Sequence, residues 1–393
     1  MQPAALIETS SSRKALAGFF LSGLLLSFPG AILPAWGYHV RPHYVTIGHY
    51  FLILDVGLVA SVLFSRWMTG RNLGFVLVIA CMTAFTSLAA LSFTAPPVAE
   101  WYRLFGFFGL GLGAGTLNMG IFHAISAAYR LEPAATINLA GVFFGLGSFV
   151  VAVLIAGAFN VYTVPSILLL VAIAPGLFAI RFARSGFPAP VVARKRSFRD
   201  VAREFTIPSA VLFSLLLFFH FGNEWAIAAW LPLFLIIRLG LSPALALLIL
   251  ALYWLSLMIG RIIAQAVLPH VRHGKLLVAS ILASMLGCMI LAFTDNLFGA
   301  IFGTLLVGIG FAPIYPLVVE KIGVRFPHYH PGFFNGIFSV ALTGGMLAPA
   351  TLGYASELFG VQIVMVLPMI GSIIVLLLVL LIWLEARFFS PKF

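Results

Sequence analysis

Six residues of a different character interrupt an apolar segment that runs from about 207 to 237: His220-Phe221-Gly222-Asn223-Glu224-Trp225. On a helix, His220 and Glu224 (i, i+4) share one face and Asn223 joins it. Such a stripe has two chemical uses. A carboxylate or imidazole can carry a proton, and Asn and Glu together offer donors and acceptors to a hydroxylated solute. The competing reading is a satisfied polar contact between helices. An ionisable side chain at the centre of a membrane helix costs about 2.5–3.5 kcal/mol on insertion scales, which favours a functional reason for Glu224. Asp55 is a second isolated carboxylate, with no obvious local partner. It lies about ten residues into its apolar segment, roughly 15 Å down and near a bilayer midplane. Glu224, about 17 residues along its segment, falls roughly 25 Å from the inner surface, in the outer half. His123 and Glu320 close their segments and are expected at the interface.

Aromatic residues supply a further binding chemistry. Trp36, Trp101, Trp225, Trp230, Tyr253, Trp254 and Tyr315 occur in or near apolar segments. Most aromatics at segment ends anchor in the headgroup region, but Trp225, Trp230, Tyr315 and the Tyr253-Trp254 pair can also stack on a sugar ring. No enzyme set is present. The glycines of span four are not followed by Lys-Ser/Thr, so there is no phosphate-binding loop, and paired carboxylates, zinc motifs and a nucleophile elbow are missing. No cofactor and no metal are expected.

These residues must be positioned by membrane helices. Of 393 residues, 62% are hydrophobic and 8% charged, against about 25% charged in a soluble domain. The mean hydropathy is +1.13. The net charge of +11 is spread over short loops between apolar segments, which excludes a nucleic-acid patch and fits the positive-inside pattern. Cys81 and Cys288 both lie inside apolar segments, so no disulfide framework is read from them. Residues 15–37 read as a first span and not as a cleaved signal peptide.

With about 20 apolar residues per crossing, the chain reads as twelve spans: roughly 15–37, 45–65, 73–94, 102–126, 134–158, 163–182, 207–236, 243–268, 275–293, 296–319, 333–356 and 361–385. Residues 183–206, with Arg184, Arg194, Lys195, Arg196, Arg199 and Arg203, form a basic linker between two sets of six. Placing both termini in the cytoplasm puts 19 of the 22 Lys and Arg residues inside, leaving Arg41, Arg103 and Arg238 outside. The domains expected are residues 1–182, the linker 183–206, and residues 207–393.

The two halves repeat. Leu110-Gly111-Leu112-Gly113 matches Val307-Gly308-Ile309-Gly310 at an offset of 197, and Asn138 matches Asn335 at the same offset. Leu33-Pro34 matches Leu231-Pro232 at 198. Six spans per half with parallel repeats describe the major facilitator architecture. Glycines such as Gly106, Gly109, Gly141, Gly145 and Gly344 allow close helix approach. Pro29 and Pro34, Pro313 and Pro316, and Pro349 interrupt backbone bonding, which makes spans one and ten candidates for broken helices. The expected fold is therefore an all-α membrane protein of twelve transmembrane helices in two six-helix pseudo-repeats, both termini cytoplasmic.

The motifs carry a family likeness. Pro29-Gly30-Ala31-Ile32-Leu33-Pro34-Ala35-Trp36, Gly111-Leu112-Gly113-Ala114-Gly115, Phe143-Phe144-Gly145-Leu146-Gly147-Ser148, and Phe221-Gly222-Asn223-Glu224-Trp225 with Tyr253-Trp254-Leu255-Ser256 resemble the fucose–galactose–proton symporter branch of the major facilitator superfamily. Gly260-Arg261 and the loop Pro269-His270-Val271-Arg272-His273-Gly274-Lys275 resemble the family's basic loop between the second and third span of a half. Its counterpart Ser65-Arg66-Trp67-Met68-Thr69-Gly70-Arg71 lacks the acidic member, so the charge lock there is partial. Proton-coupled members place acids in helices one and four. Here helix one has no Asp or Glu between Ala15 and Gly37, and Asn118 stands where relatives carry Asp or Glu.

The resemblance implies a secondary transporter moving a small polar solute, a sugar first, by alternating access. Asn118, His220, Asn223, Glu224, Trp225 and Tyr315 are the expected substrate contacts, and Glu224 or Asp55 the proton carrier if transport is proton-coupled. The expected partners are the solute, protons and the lipid bilayer of a bacterial inner membrane, with no nucleic acid and a monomeric state. An exporter of drugs or amphipathic metabolites, suited to the 14% aromatic content, and a non-transporting sensor on the same fold remain as alternatives.

Overall fold

The computed structural model describes residues 3–67, 72–125, 133–187, 207–268, 270–326 and 331–388, all helical apart from the connections. The first six helices are α1 (Pro3–Ile32), α2 (Tyr44–Trp67), α3 (Leu73–Ser92), α4 (Glu100–Ala124), α5 (Pro133–Ala158) and α6 (Val164–Ala183). They are followed by α7 (Pro208–Leu239), α8 (Pro243–Val267), α9 (His273–Phe293), α10 (Leu297–Phe311), α11 (Ile314–Arg325), α12 (Pro331–Phe359) and α13 (Ile363–Phe388). Helices α10 and α11 make one candidate span, Leu297–Arg325, so among the described residues twelve spans are long and apolar enough to cross a membrane. Of the basic linker, residues 188–206 lie outside the described residues, as do 68–71 of the first basic loop and the side chain of Asn335.

Two expected breaks resolve differently. The tenth span is broken, between Phe311 and Ile314, where Pro313 has no amide to donate. The first is not broken at Pro29, since α1 runs through it and stops at Ile32, five residues short of the expected end. Leu33–Val40 form turns instead, because Pro34 cannot extend the helix and Gly37 takes φ +78°, a left-handed value that glycine adopts without cost. The Gly37 amide donates to the Pro34 carbonyl at 3.1 Å and closes this turn.

The surface is the inverse of a soluble protein's. On α13, Ile370, Ile373, Leu377, Leu380, Leu381 and Leu384 form one stripe at helical spacing, each at least 40% exposed. Polar groups turn inward instead: Ser27 Oγ donates to Ser148 Oγ at 2.7 Å between α1 and α5. An apolar exterior around a hydrogen-bonded interior is what a hydrocarbon solvent selects.

The chain divides into two compact units. One comprises Met1–Val192 with Leu231–Leu255, the other Ala193–Trp230 with Ser256–Phe393, so α7 and α8 each contribute to both. In the first unit α3 packs on α4 and α6; in the second α9 packs on α10 and α13, the same pattern six spans later. Individual contacts repeat as well. A Cβ at Gly147 would strike the Phe20 carbonyl, and one at Gly344 the Phe218 carbonyl, offsets of 197 and 198. Gly113 abuts the Ala80 carbonyl and Ala84 amide, and Gly310 the Ser280 carbonyl and Ser284 amide, offsets of 197 and 200. Glycine is required at these crossings because backbone meets backbone, so the pseudo-repeat is written into packing as well as sequence.

Candidate functional site

Glu224 stands 16 residues after the start of α7 and 15 before its end, at the middle of the helix and not in an outer half. The helix reaches Leu239, three residues beyond its expected end, which moves its centre to Glu224. His220, Asn223 and Glu224 do share a face, and all three are buried, at 1%, 6% and 5% exposure. Glu224 stands between His220 and the guanidinium of Arg261. His220 Nε2 is 3.7 Å from its Oε2, and Arg261 Nη2 of α8 is 3.8 Å from its Oε1. Both separations exceed a hydrogen bond, so the Arg261–Glu224 contact is chiefly an attraction between charges. Neither ring nitrogen of His220 has a hydrogen-bond partner, and the ring lies edge-on to Phe311, centroids 5.7 Å apart.

Arg261 is the site residue that charge counting assigned elsewhere. The charge count puts it among the inner-surface cations, yet it is 9% exposed and paired with Glu224. The signal was present in its position, about two turns inside the apolar segment 243–268. A buried guanidinium needs a counter-charge.

Asn223 turns to α13. Its Oδ1 occupies the place a Cβ on Gly371 would need, and its Nδ2 is buried without a hydrogen-bond partner. Phe221 and Trp225 each follow a polar-face residue by one position, about 100° around the helix. They form a second, aromatic face. Phe221 meets Tyr315 of α11 edge-on at 5.1 Å, Tyr315 meets Phe338 of α12 at 5.9 Å, and Trp225 packs over Gly345 of α12. Trp225 and Tyr315 are half-buried. Trp230, Tyr253 and Trp254 are at most 1% exposed, which leaves no ring face for a sugar. The Trp230 indole donates to the Pro349 carbonyl at 2.9 Å and ties α7 to α12.

The first unit carries the other two candidates. Asn118 of α4 is half-buried, and its Oδ1 accepts from Ser22 Oγ of α1 at 2.7 Å. Asn118 and Tyr315 are also repeat partners, 197 residues apart, each five residues after a paired glycine, Gly113 and Gly310. Asp55 of α2 is 9% exposed, and its Oδ2 is buried with no hydrogen-bond partner among the described residues. His123 is exposed near the end of α4, and Glu320 pairs with His273 at 3.0 Å, both half-exposed as expected of interfacial groups.

Comparison with known proteins fits this geometry. Residues 15–349 match the family model of the Major Facilitator Superfamily. An uncharacterised MFS-type transporter of Yersinia pestis is 24% identical over 148 residues, a match spanning 38% of this chain and 38% of that protein. Three solved transporters share the fold along nearly the whole chain. FucP in its outward conformation gives a TM-score of 0.63 at 16% identity, covering 97% of this chain and 99% of that one. The bacterial homologue of the human lysosomal transporter Spinster gives 0.70 at 14% identity, covering 97% and 99%. The nucleoside transporter NupG gives 0.71 at 12% identity, covering 96% and 100%. At such identities the likeness is one of fold. A family match over most of the chain, twelve spans and packing repeated between two units together identify the protein as a member of the Major Facilitator Superfamily.

Proposed function

We propose that the protein is a secondary active transporter that moves a small polar solute, a sugar in the first instance, by alternating access. The observation that carries this reading is that Asn118 and Tyr315 hold the same position in the two sequence repeats, each half-buried on the fourth span of its repeat. Asn118 supplies an amide for a hydroxyl, and Tyr315 with Trp225 supplies ring faces for a pyranose. His220, Asn223 and Glu224 stand buried on the neighbouring face of α7 and reach the solute in this reading only when the helices packed on that face part. FucP, named in a second solved structure as the E. coli fucose:proton symporter, and the nucleoside transporter NupG lend the sugar-like solute its plausibility.

For the proton, Asp55 takes precedence over Glu224. Protonating Glu224 would strand the buried Arg261 guanidinium without its counter-charge, a costly state. Asp55 has a buried oxygen free to hold a proton. The two bundles comprise residues 1–182 and 207–393, with 183–206 as a cytoplasmic linker, both termini cytoplasmic, in a bacterial inner membrane and acting as a monomer. The aromatic face of Phe221, Trp225, Tyr315 and Phe338 gives an exporter of amphipathic metabolites as the second reading.

The test is a thermal-shift screen of sugars and other metabolites followed by uptake into proteoliposomes, with and without a pH gradient. Saturable sugar uptake that falls at least tenfold in Asn118→Ala and Tyr315→Ala supports the reading. Uptake indifferent to both substitutions overturns the site, and uptake indifferent to the gradient overturns proton coupling.

A further inference from the structure

At the end of the first unit where α1 turns into α2, a cavity of about 570 Å³ is lined by Trp36, Tyr38, Arg41, His43, Thr46, Glu100 and Arg103 among others. That volume is in the range of small-molecule sites, about 300–1,000 Å³. Arg41 and Arg103 are two of the three basic residues that the charge rule left on the outer side. Their convergence on one cavity gives those exceptions a common explanation.

Arg103 is 5% exposed, and all its recorded partners are neutral. Nε donates to Tyr50 Oη at 2.6 Å, and Nη1 donates to the carbonyls of Thr94 at 2.8 Å and Val98 at 2.7 Å. Among the described residues no carboxylate pairs with it, and Nη2 has no protein partner. Glu100, one turn earlier, is engaged elsewhere: Thr46 Oγ1 donates to its Oε2 at 3.3 Å, and His49 Nδ1 lies 3.4 Å from its Oε1. A buried guanidinium without a counter-charge is an unfavourable arrangement unless a ligand supplies one. Trp36 lines the same cavity. Trp36 Nε1 is buried without a hydrogen-bond partner, while Arg41 and His43 stand exposed at the rim.

We propose that this cavity binds the oxyanion group of a small organic anion, a carboxylate or phosphate, with Arg103 Nη2 as the central donor and Arg41 at the rim. The Nε and Nη1 bonds fix the guanidinium plane in advance, so binding orders no long side chain there and each contact is charge-assisted. Trp36 and Tyr38 give the organic body an aromatic wall. The site is separate from the proposed transport site and does not depend on it.

The source of the anion is either a soluble metabolite or an anionic lipid headgroup, and the experiment separates them. The full-length protein is purified in detergent and its thermal unfolding followed with phosphate or benzoate against chloride at equal ionic strength. In parallel it is placed in nanodiscs of phosphatidylglycerol or phosphatidylcholine. Saturable stabilisation by phosphate or benzoate, weakened about tenfold in Arg103→Gln and Arg41→Gln, identifies a soluble anion. Stabilisation by phosphatidylglycerol alone, lost in the same variants, identifies a lipid headgroup. Should Arg103→Gln fail to fold through loss of its carbonyl bonds, Arg41→Gln and Trp36→Phe leave those bonds in place and carry the test. No response beyond the chloride and phosphatidylcholine controls, or a response unchanged in all variants, overturns the proposal.

Discussion

Arg261 Nη2 of α8 lies 3.8 Å from Glu224 Oε1 of α7, and the two side chains are only 10% and 6% exposed. Removing one partner leaves a buried charge alone, whereas removing both does not. Glu224→Gln and Arg261→Gln are each expected to destabilise the protein by about 3–5 kcal/mol, and the double variant by clearly less than the sum. A double-mutant cycle in thermal or denaturant unfolding measures this. Additive losses would show that the pair is not coupled.

Helix crossings built on glycine carry the second prediction. A side chain at Gly344 would strike the Phe218 carbonyl, and one at Gly147 the Phe20 carbonyl. Backbone cannot move aside as a flexible side chain can, so Gly344→Ala and Gly147→Ala should each cost about 1–3 kcal/mol. Gly157, inside α5, has nothing within 4 Å of the corresponding point, and Gly157→Ala should be neutral or stabilising by up to about 1 kcal/mol. Yields of folded protein and unfolding temperatures of the three variants check the ordering. Equal behaviour would mean that the crossings are not tight.

Twelve spans, two repeats and the polar face of α7 were legible in the sequence because each depends on local periodicity or on hydrophobic length. The partner of Glu224 was not. Arg261 is 37 residues away, and charge statistics that describe loops assigned it to a surface. Nor could the sequence separate Trp225 from Trp230. Both are tryptophans on one helix, and only tertiary packing leaves the first half-buried while the second spends its indole N–H on Pro349. Pro29 and Pro313 looked equivalent as helix breakers, yet α1 continues through Pro29 and the tenth span stops before Pro313. Proline removes a donor in either case, and the neighbouring packing decides whether the helix tolerates the loss.

Asp55 supplies a prediction that joins stability to coupling. Its Oδ2 is buried without a hydrogen-bond partner, and an unsatisfied buried polar group costs about 1–3 kcal/mol in protein mutational data. Asp55→Asn removes the ionisable group at nearly constant shape. The unfolding temperature should rise, while uptake in proteoliposomes should lose its response to an imposed pH gradient. A fall in stability would show instead that the carboxylate is satisfied by its surroundings. An unchanged gradient response would transfer the proton to another group.

His39, in the turn after α1, gives a pH dependence outside the spans. Burial holds its imidazole below the ordinary histidine value, and its Nδ1 is buried without a hydrogen-bond partner. The unfolded chain therefore binds more protons than the folded one in the window between the folded value and about 6.5. Stability contributed by neutral His39 is complete above that window and is lost as pH falls through it. Acidification from pH 7 to pH 5 should lower the unfolding temperature of the wild type, and His39→Gln, which cannot titrate, should flatten that fall. Unfolding scans of the two proteins across this range are the measurement. Identical slopes would remove His39 from the response.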